Sequence, residues 1–208
     1  MRRTLILFSA SILALAGCST SNPGTPSPAN NTSSQTTSPS SSDEVPGPGV
    51  PKVEGPIDTT RFKQAPCDTL TATQVRALFG EDVTPKSDLA APAGPACNWD
   101  SSAVYGAHIG VVFSTVTNLG LTGYYRAKGT NYPFFRELAA VGGYPAVAYD
   151  SVGDRSSKGA CDIAVGTSDR ETVAIAIQQS NDKIGEKDAC ESARDVAASV
   201  IGNLRGGK

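Results

Sequence analysis

Short apolar stretches with alternating polar positions dominate the middle and later parts of the chain. In AHIGVVFST, the apolar residues Ile109, Val111 and Phe113 recur at every second position, which predicts a strand with one buried face and His108 on the other face. Further strands are predicted in CNWD before this run, and in YPAVAYDS, CDIAVGTSD and ETVAIAIQQS after it, because turn residues bound each stretch. This succession predicts an antiparallel sheet.

Capping residues mark a helix over residues 71–79, within APCDTLTATQVRALFG. Thr71 can cap the helix while Gln74 reaches back to it, and Gly80 supplies a left-handed stop. The apolar residues of this helix form one face: Val75, Leu78 and Phe79. These signals together define the first helix of the folded region.

A second helix is predicted over residues 188–204, in DACESARDVAASVIGNLRGG. Asp188 can cap it with Glu191 three positions later. Its apolar residues form one stripe: Ala193, Ala197, Val200 and Leu204. Between the two helices, LTGYYRAKG is compatible with a third, short helix.

The predicted fold class is α+β, an antiparallel β-sheet with the N-terminal and C-terminal helices packed on one of its faces. Neither helix is apolar on all sides, so each must place its stripe in a shared core. The expected contacts are Val75, Leu78, Val200 and Leu204 against Ile109, Val111, Ile175 or Ile177. The expected shape is a PsbP-like sandwich.

The N-terminus has the pattern of an exported protein. The basic MRR precedes an apolar run from residue 5 to residue 16, which is too short to span a bilayer and predicts a signal peptide over residues 1–17. The following LAGC resembles the bacterial lipobox, and this resemblance implies cleavage after Gly17 and a diacylglyceryl anchor on Cys18. The alternative is an ordinary secretory signal followed by an unrelated cysteine.

Residues 18–60 have the composition of a linker. Eight of the fourteen prolines lie between residues 19 and 60, together with many Ser and Thr residues and no aromatic side chain. Such a segment cannot bury enough apolar surface to form a core, which predicts a disordered tether between the lipid and the domain. A single globular domain is expected over residues 61–208.

Apart from the lipobox cysteine, the chain holds four cysteines. They allow three pairings, of which we favour Cys67 with Cys97 and Cys161 with Cys190, because each pair then closes a local loop. On the chain-entropy model each loop of about 30 residues contributes about 3–4 kcal/mol. A zinc site is disfavoured, since the cysteines lack the short spacings of metal clips and His108 is the only imidazole.

The charge pattern excludes nucleic acid as a partner. The chain has a net charge of −2, and removal of residues 1–17 would leave 16 basic and 20 acidic side chains. Nucleic-acid binding and polybasic membrane contacts both depend on clustered Lys and Arg, and no basic cluster longer than Arg2 and Arg3 occurs. The expected membrane contact is therefore the anchor at Cys18.

We expect neither a catalytic residue nor a cofactor. A serine hydrolase would have to use His108, but no G-x-S-x-G elbow occurs. SNDK, from Ser180 to Lys183, matches the S-x-x-K pattern of penicillin-binding enzymes without their S-D-N and K-T-G motifs, so we interpret it as turn chemistry. A cell-envelope hydrolase stays the less favoured alternative.

Aromatic residues cluster in the middle of the predicted domain: Trp99, Tyr124, Tyr125, Tyr132, Phe134, Phe135, Tyr144 and Tyr149. Most of them are expected in the core. If residues 117–145 pack over the sheet with some rings exposed, they would form a groove for an envelope lipid, glycan or partner protein. The candidate ligand-binding residues are Tyr124, Tyr125, Tyr132 and Tyr144.

The order of several short motifs resembles a known family. PCDTLT before a helix ending in LFG, then CNW, GYPAV, CDIAV and DACESARDVAASVIGNL, are similar over residues 60–205 to the actinobacterial lipoprotein family catalogued as domain of unknown function 3558. The resemblance implies a lipid-anchored, disulfide-stapled domain on the outer face of the cell membrane. It supplies no catalytic residues, because the family's activity is open.

Three classes of function differ in what the fold should contain, and we favour a non-catalytic interaction or sensing module of the cell envelope. Such a module should show an exposed apolar patch. The alternative is a carrier of a small envelope lipid or other ligand, which should show a large apolar cavity. An enzyme should show convergent polar groups with shifted pKa values.

Overall fold

The computed structural model describes residues 44–104 and 106–206, which form one antiparallel sheet of seven strands with four α-helices. The strands are β1 (Lys86–Asp88), β2 (Ala96–Asp100), β3 (His108–Phe113), β4 (Phe134–Val141), β5 (Tyr144–Asp150), β6 (Ala160–Gly166) and β7 (Thr172–Gln178). The helices are α1 (Thr60–Gln64), α2 (Ala72–Phe79), α3 (Leu121–Ala127) and α4 (Ala189–Leu204). The predicted α+β class with an antiparallel sheet is therefore confirmed.

The predicted signal peptide, the lipidation site Cys18 and the linker up to residue 43 lie outside the described residues. Within the described ranges, none of the helices has the length and apolar character needed to cross a membrane.

The strand order explains how distant parts of the chain meet. The order is β1-β2-β3-β7-β6-β5-β4, and every neighbouring pair is antiparallel. After β3 the chain crosses to the far edge of the sheet, enters β4 and returns strand by strand until β7 pairs with β3. Val111, Ile175 and Ile163 consequently lie side by side in the core.

One face of the sheet is covered by α2 and α4, as the apolar stripes predict. Asp188 caps α4 by accepting a hydrogen bond from a backbone N–H of the first turn, and the predicted stripe of α4 is buried. Val75, Val200 and Leu204 share one core with apolar side chains of β3 and β7. The prediction for Leu78 is wrong: it is 39% exposed, because it lines a cavity with Ile109 and Ile177 instead of packing in the closed core.

The capping residues of α2 make the predicted contacts. The Gln74 N–H donates to Thr71 Oγ1 at 3.2 Å, and the Thr71 N–H donates to Gln74 Oε1 at 2.8 Å. Gly80 ends the helix with a φ of 74°. The buried amide of Asn203 in α4 donates to Gln74 Oε1 at 2.7 Å and to the Thr69 carbonyl at 2.8 Å, which joins the two helices.

Both favoured disulfides are present. Cys67, in the 3₁₀ turn Pro66–Thr69, is bonded to Cys97 of β2, and Cys161 of β6 is bonded to Cys190 in the first turn of α4. The predicted pairing is therefore confirmed among the three that were possible. One bond ties the segment before α2 to the sheet, and the other ties α4 to the sheet.

The condition stated for a groove, that residues 117–145 pack over the sheet, is met by only a part of this segment. Within it, α3 lies on the second face of the sheet, where Leu121 packs against Val147 and Ala164. Strand β4 instead extends the sheet at its edge and is joined to β5 by a turn at residues 142–143, where two glycines have positive φ. The Gly-Gly pair in VGGY is a hairpin signal that sequence analysis could have used.

A segment expected as linker belongs to the folded domain. In residues 44–59, which we name the strap, the Gly47 N–H donates to Thr122 Oγ1 at 3.0 Å and the Val53 N–H donates to Asp169 Oδ1 at 2.8 Å. The expected linker end at residue 60 is therefore corrected. The strap is anchored, despite its prolines, by spaced aliphatic residues that contact the rest of the domain: Val50, Val53 and Ile57.

Candidate functional site

A groove with a volume of about 350 Å³ lies between α3 and the second face of the sheet. We name it the tyrosine groove. Tyr124, Asn131 and Tyr132 line it from α3 and the turn that follows, and Val112 and Ala174 line it from β3 and β7. Its other lining residues are Ala93, Ser114, Val116, Thr117, Gly123, Ala127 and Tyr149.

A glycine at position 120 allows α3 to begin close to the sheet. Gly120 has a φ of +52°, and a Cβ atom there would lie 2.2 Å from the carbonyl oxygen of Asp169. Any larger residue would displace the start of α3 from the turn between β6 and β7. Leu121 then packs on the second face, and Tyr124, three positions later, lies on the same side of α3.

Three tyrosine side chains of the groove pack against each other, and we name them the tyrosine cluster. The rings of Tyr124 and Tyr132 are stacked with their centroids 5.6 Å apart. Tyr149 forms edge contacts with both rings, at centroid distances of 4.7 Å to Tyr124 and 4.8 Å to Tyr132. These contacts fix the orientation of each ring, so the aromatic surface of the groove is preformed.

The hydroxyl groups of the tyrosine cluster stay protonated. Burial raises the pKa of Tyr124 and of Tyr132, and it raises the pKa of Tyr149 well above the usual 10.0. For Tyr149 the neighbouring Tyr124 and the carboxylate of Asp162 act in the same direction. The Tyr132 hydroxyl, which lines the groove, can therefore donate a hydrogen bond to a ligand throughout the physiological pH range.

The charges of the groove differ from those of a second cavity, which lies at the ends of β3 and β7. The twelve described residues that line the tyrosine groove are all uncharged. The second cavity, of about 270 Å³, has charged side chains in its lining: Lys183, Glu186, Lys187 and Asp195. We name it the end cavity. The two cavities therefore suit ligands of different chemistry.

The structure brings two of the four predicted ligand-binding residues together. Tyr124 and Tyr132 line the tyrosine groove. Tyr125 instead forms an edge contact with Phe135, at a centroid distance of 5.0 Å. The Tyr144 hydroxyl donates to a carbonyl oxygen of the strap at 2.7 Å, so Tyr144 holds the strap rather than lining the groove.

Tyr149 is not among the predicted ligand-binding residues, although its ring contacts both Tyr124 and Tyr132. The alternation in YPAVAYDS was the available signal, because it places Tyr149 on the same face as Val147. Val147 packs against α3 residue Leu121, so this face is the one that α3 covers.

The end cavity contains His108 and Ser180, two residues that a serine hydrolase would need, but no hydrogen bond connects these two in the described residues. His108 Nδ1 lies 2.8 Å from Asp100 Oδ1, and this contact is the main cause of the lowered pKa of Asp100. Ser180 lines the same cavity as His108, yet its hydroxyl bonds to Asp182 and lowers the pKa of that carboxyl. No hydrogen bond joins His108 to Ser180 within the described residues.

The described ranges also hold no cluster of three or more His, Cys, Asp or Glu side chains suited to a metal ion.

Asp162 is a half-buried carboxyl beside the tyrosine cluster, opposite Tyr149 in the pairing of β5 with β6. Burial is the main cause of its raised pKa. Arg155 acts in the opposite direction, but its Nη2 is 3.8 Å from Asp162 while its Nε bonds to Asp150 at 2.5 Å. The ionised form of Asp162 is therefore disfavoured by folding.

Asp162→Asn is expected to stabilise the domain at neutral pH and to lose this effect in acid. The pKa of Asp162 is higher in the folded state than in the unfolded state. The protonated carboxyl therefore makes its full contribution to stability below the unfolded pKa, and this contribution is lost as the pH rises through the folded pKa. Thermal unfolding should show a Tm about 2–4 °C higher for the variant at about pH 7 and little difference at about pH 3.5. The exposed Asp68→Asn serves as the control. A lower Tm for Asp162→Asn at neutral pH would contradict this expectation.

A protein-family model matches most of the chain. The model is described as "Protein of unknown function (DUF3558)", and it matches residues 13–203. No curated protein and no solved structure matches the chain. The PsbP-like shape and the actinobacterial origin therefore stay predictions.

Proposed function

We propose that this chain, which belongs to the DUF3558 family of proteins of unknown function, is a lipid-anchored lipoprotein of the cell envelope whose domain is a non-catalytic binding module. The module would stand on the outer face of the cell membrane and bind an envelope component through the tyrosine groove.

The anchor is proposed from the cysteines. Cys18 ends the LAGC sequence that resembles a lipobox, and it is the one cysteine of five outside the two disulfides. The disulfides support an extracytoplasmic location, because such bonds persist in oxidising compartments. A lipidated Cys18 accounts for the odd cysteine and for the short apolar run that precedes it.

The tyrosine groove is the observation that carries the binding function. Its preformed aromatic surface and neutral polar groups are typical of ligand sites, and its volume of about 350 Å³ is near the lower end of the range of about 300–1,000 Å³ for such sites. His108 and Ser180 share no hydrogen bond in the described residues, and this favours binding over catalysis.

A carrier of a small ligand is the second candidate, and the volume of the groove is the observation that favours it. However, Val116 lines the groove and is 69% exposed, so the groove opens to solvent. An open groove can hold one group of a larger envelope component, whereas a carrier is expected to enclose its ligand. The geometry therefore supports the binding module more strongly.

Binding to the envelope is expected to depend on the tyrosine groove. In the soluble, full-length Cys18→Ala protein, we expect Tyr132→Ala and Val116→Asp each to weaken co-sedimentation with purified envelope fragments by about tenfold. The first change removes an aromatic surface, and the second places a charge in an uncharged groove. Val152→Asp is the matched control, because Val152 is 79% exposed and does not line the groove.

Two further variants separate binding from catalysis. His108→Ala and Ser180→Ala should leave envelope binding unchanged, since both residues line the end cavity. The Tm of every variant is measured to exclude unfolding. The proposal would be contradicted if Val116→Asp and Val152→Asp bound equally well, or if His108→Ala alone abolished binding in a folded protein.

A further inference from the structure

We propose that the tyrosine groove binds a neutral carbohydrate and holds a sugar ring against the tyrosine cluster. This inference rests on the proposed binding function and names the chemical class of the ligand. The recognised chemistry is an uncharged sugar ring with hydroxyl groups, in an amino-sugar chain or in another polysaccharide.

The lining of the groove selects for a neutral ligand. All twelve lining residues are uncharged, although 18% of the residues in the chain are charged. An ionised group that enters such a site loses hydration without gaining a counter-charge. The nearest half-buried carboxyl, Asp162, lies opposite Tyr149 in the sheet and already has Arg155 at 3.8 Å. A neutral group therefore enters the groove at the lowest free-energy cost.

The tyrosine cluster suits the apolar side of a sugar ring. One side of a pyranose carries several C–H groups, and these pack favourably on the electron-rich face of an aromatic ring. Burial is stronger at the hydroxyl ends of Tyr124 and Tyr149 than at that of Tyr132, so Tyr132 is the tyrosine of the cluster that a ligand reaches first. Because Tyr124 and Tyr149 already hold this ring, little side-chain entropy is lost on binding.

The polar groups of the groove match the hydroxyls of a sugar. The Asn131 amide can both donate and accept hydrogen bonds, as can the hydroxyls of Ser114 and Thr117. An acyl chain would leave these groups without partners, at a cost of about 1–3 kcal/mol for each one that becomes buried. The lining therefore favours a carbohydrate over a lipid tail.

Selective treatment of envelope fragments tests the ligand class. With soluble Cys18→Ala protein, we expect co-sedimentation to be lost after muramidase digestion, which cuts amino-sugar chains, or after mild periodate, which cleaves the vicinal diols of other polysaccharides. Loss after muramidase alone indicates an amino-sugar chain as the source of the sugar, and loss after periodate alone indicates another polysaccharide. Envelope fragments treated with protease or extracted with organic solvent should retain most of their co-sedimentation with the protein. Binding that survives both glycan treatments, or that is lost to protease or solvent alone, would overturn the proposal.

Defined tetrasaccharides test the role of charge. Calorimetric titration compares neutral chitotetraose and mannotetraose with the cationic glucosamine tetramer and an anionic hyaluronan tetrasaccharide. At least one neutral sugar should bind at least about tenfold more tightly than either charged one. Tighter binding of a charged sugar, or no saturable binding by any of the four, would refute the inference.

Variants of Tyr132 test whether the ring is the contact. Tyr132→Phe keeps the aromatic surface and should bind the sugar within about threefold of the parent protein, whereas Tyr132→Ala should bind about tenfold more weakly. Val152→Asp should bind like the parent protein. Equal affinities for Tyr132→Phe and Tyr132→Ala would place the sugar elsewhere.

The outcomes separate this inference from the proposed function. If the groove variants weaken envelope binding while the glycan treatments and the tetrasaccharides have no effect, the carbohydrate inference fails and the binding module stands. If the groove variants leave envelope binding unchanged, both fail.

Discussion

Replacement of Cys18 by alanine is expected to release the protein from membranes almost completely. Each buried CH₂ group of an acyl chain contributes about 0.8 kcal/mol to membrane binding. Two acyl chains therefore contribute far more to the free energy of membrane binding than any single contact of the domain with the membrane. In a Triton X-114 partition, the wild type should enter the detergent phase and Cys18→Ala the aqueous phase.

A neighbouring substitution provides the control for the anchor. Ser19→Ala leaves the proposed lipidation site intact and should stay in the detergent phase. Mass spectrometry of the mature wild-type N-terminal peptide should show an acylated Cys18. Equal partition of Cys18→Ala and the wild type into detergent would contradict the lipid anchor.

Loss of the disulfide between Cys161 and Cys190 is expected to lower the stability of the domain strongly. The bond has a sequence separation of 29 and joins β6 to the first turn of α4. Because its removal gives the unfolded chain more conformational entropy, the free energy of unfolding of Cys161→Ala/Cys190→Ala should fall by about 3–4 kcal/mol. Thermal unfolding should show a Tm lower by about 10 °C.

The other disulfide is the matched comparison. Cys67 and Cys97 have a sequence separation of 30, so Cys67→Ala/Cys97→Ala should lose a similar free energy of unfolding. Denaturant unfolding of both double variants measures the two losses side by side. Losses below about 1 kcal/mol in both variants would contradict the role of the disulfides in stabilising the domain.

The helices and disulfides could be predicted because their signals are local. Thr71, Gln74 and Gly80 stand at fixed offsets around α2, and each makes the contact that its residue type favours. Leu78 shows the limit of this approach. Its position on the helix is local, but its burial depends on how far the sheet extends beneath α2, which the sequence pattern does not describe.

Strand β4 could not be predicted from its hydrophobic pattern, and the strap could not be predicted from its composition. Edge strand β4 is partly exposed on both faces, so FFRELAAV lacks the clean alternation of a strand with one buried face. The strap is rich in proline, yet Val53 is only 5% exposed because it packs into the folded domain. Composition describes a whole segment and misses one aliphatic residue that anchors it.

The tyrosine groove could be predicted only in part. Tyr124 and Tyr132 belong to one aromatic segment, so proximity in the sequence draws attention to both. Tyr149 reaches them from β5, and this contact depends on where α3 lies on the sheet. The placement of α3 in turn depends on Gly120 and its approach to Asp169, a tertiary contact that no periodicity reveals.

Site-specific photo-crosslinking in intact cells is the most direct measurement of the proposed binding surface. A photoreactive amino acid replaces Val116 in the lipid-anchored, full-length protein, and a matched variant carries it at position 152. We predict light-dependent adducts with an envelope component from position 116 that disappear when Tyr132→Ala is added, and none from position 152. Equal adducts from both positions, or adducts from position 116 that persist with Tyr132→Ala, would contradict the tyrosine groove as the binding surface.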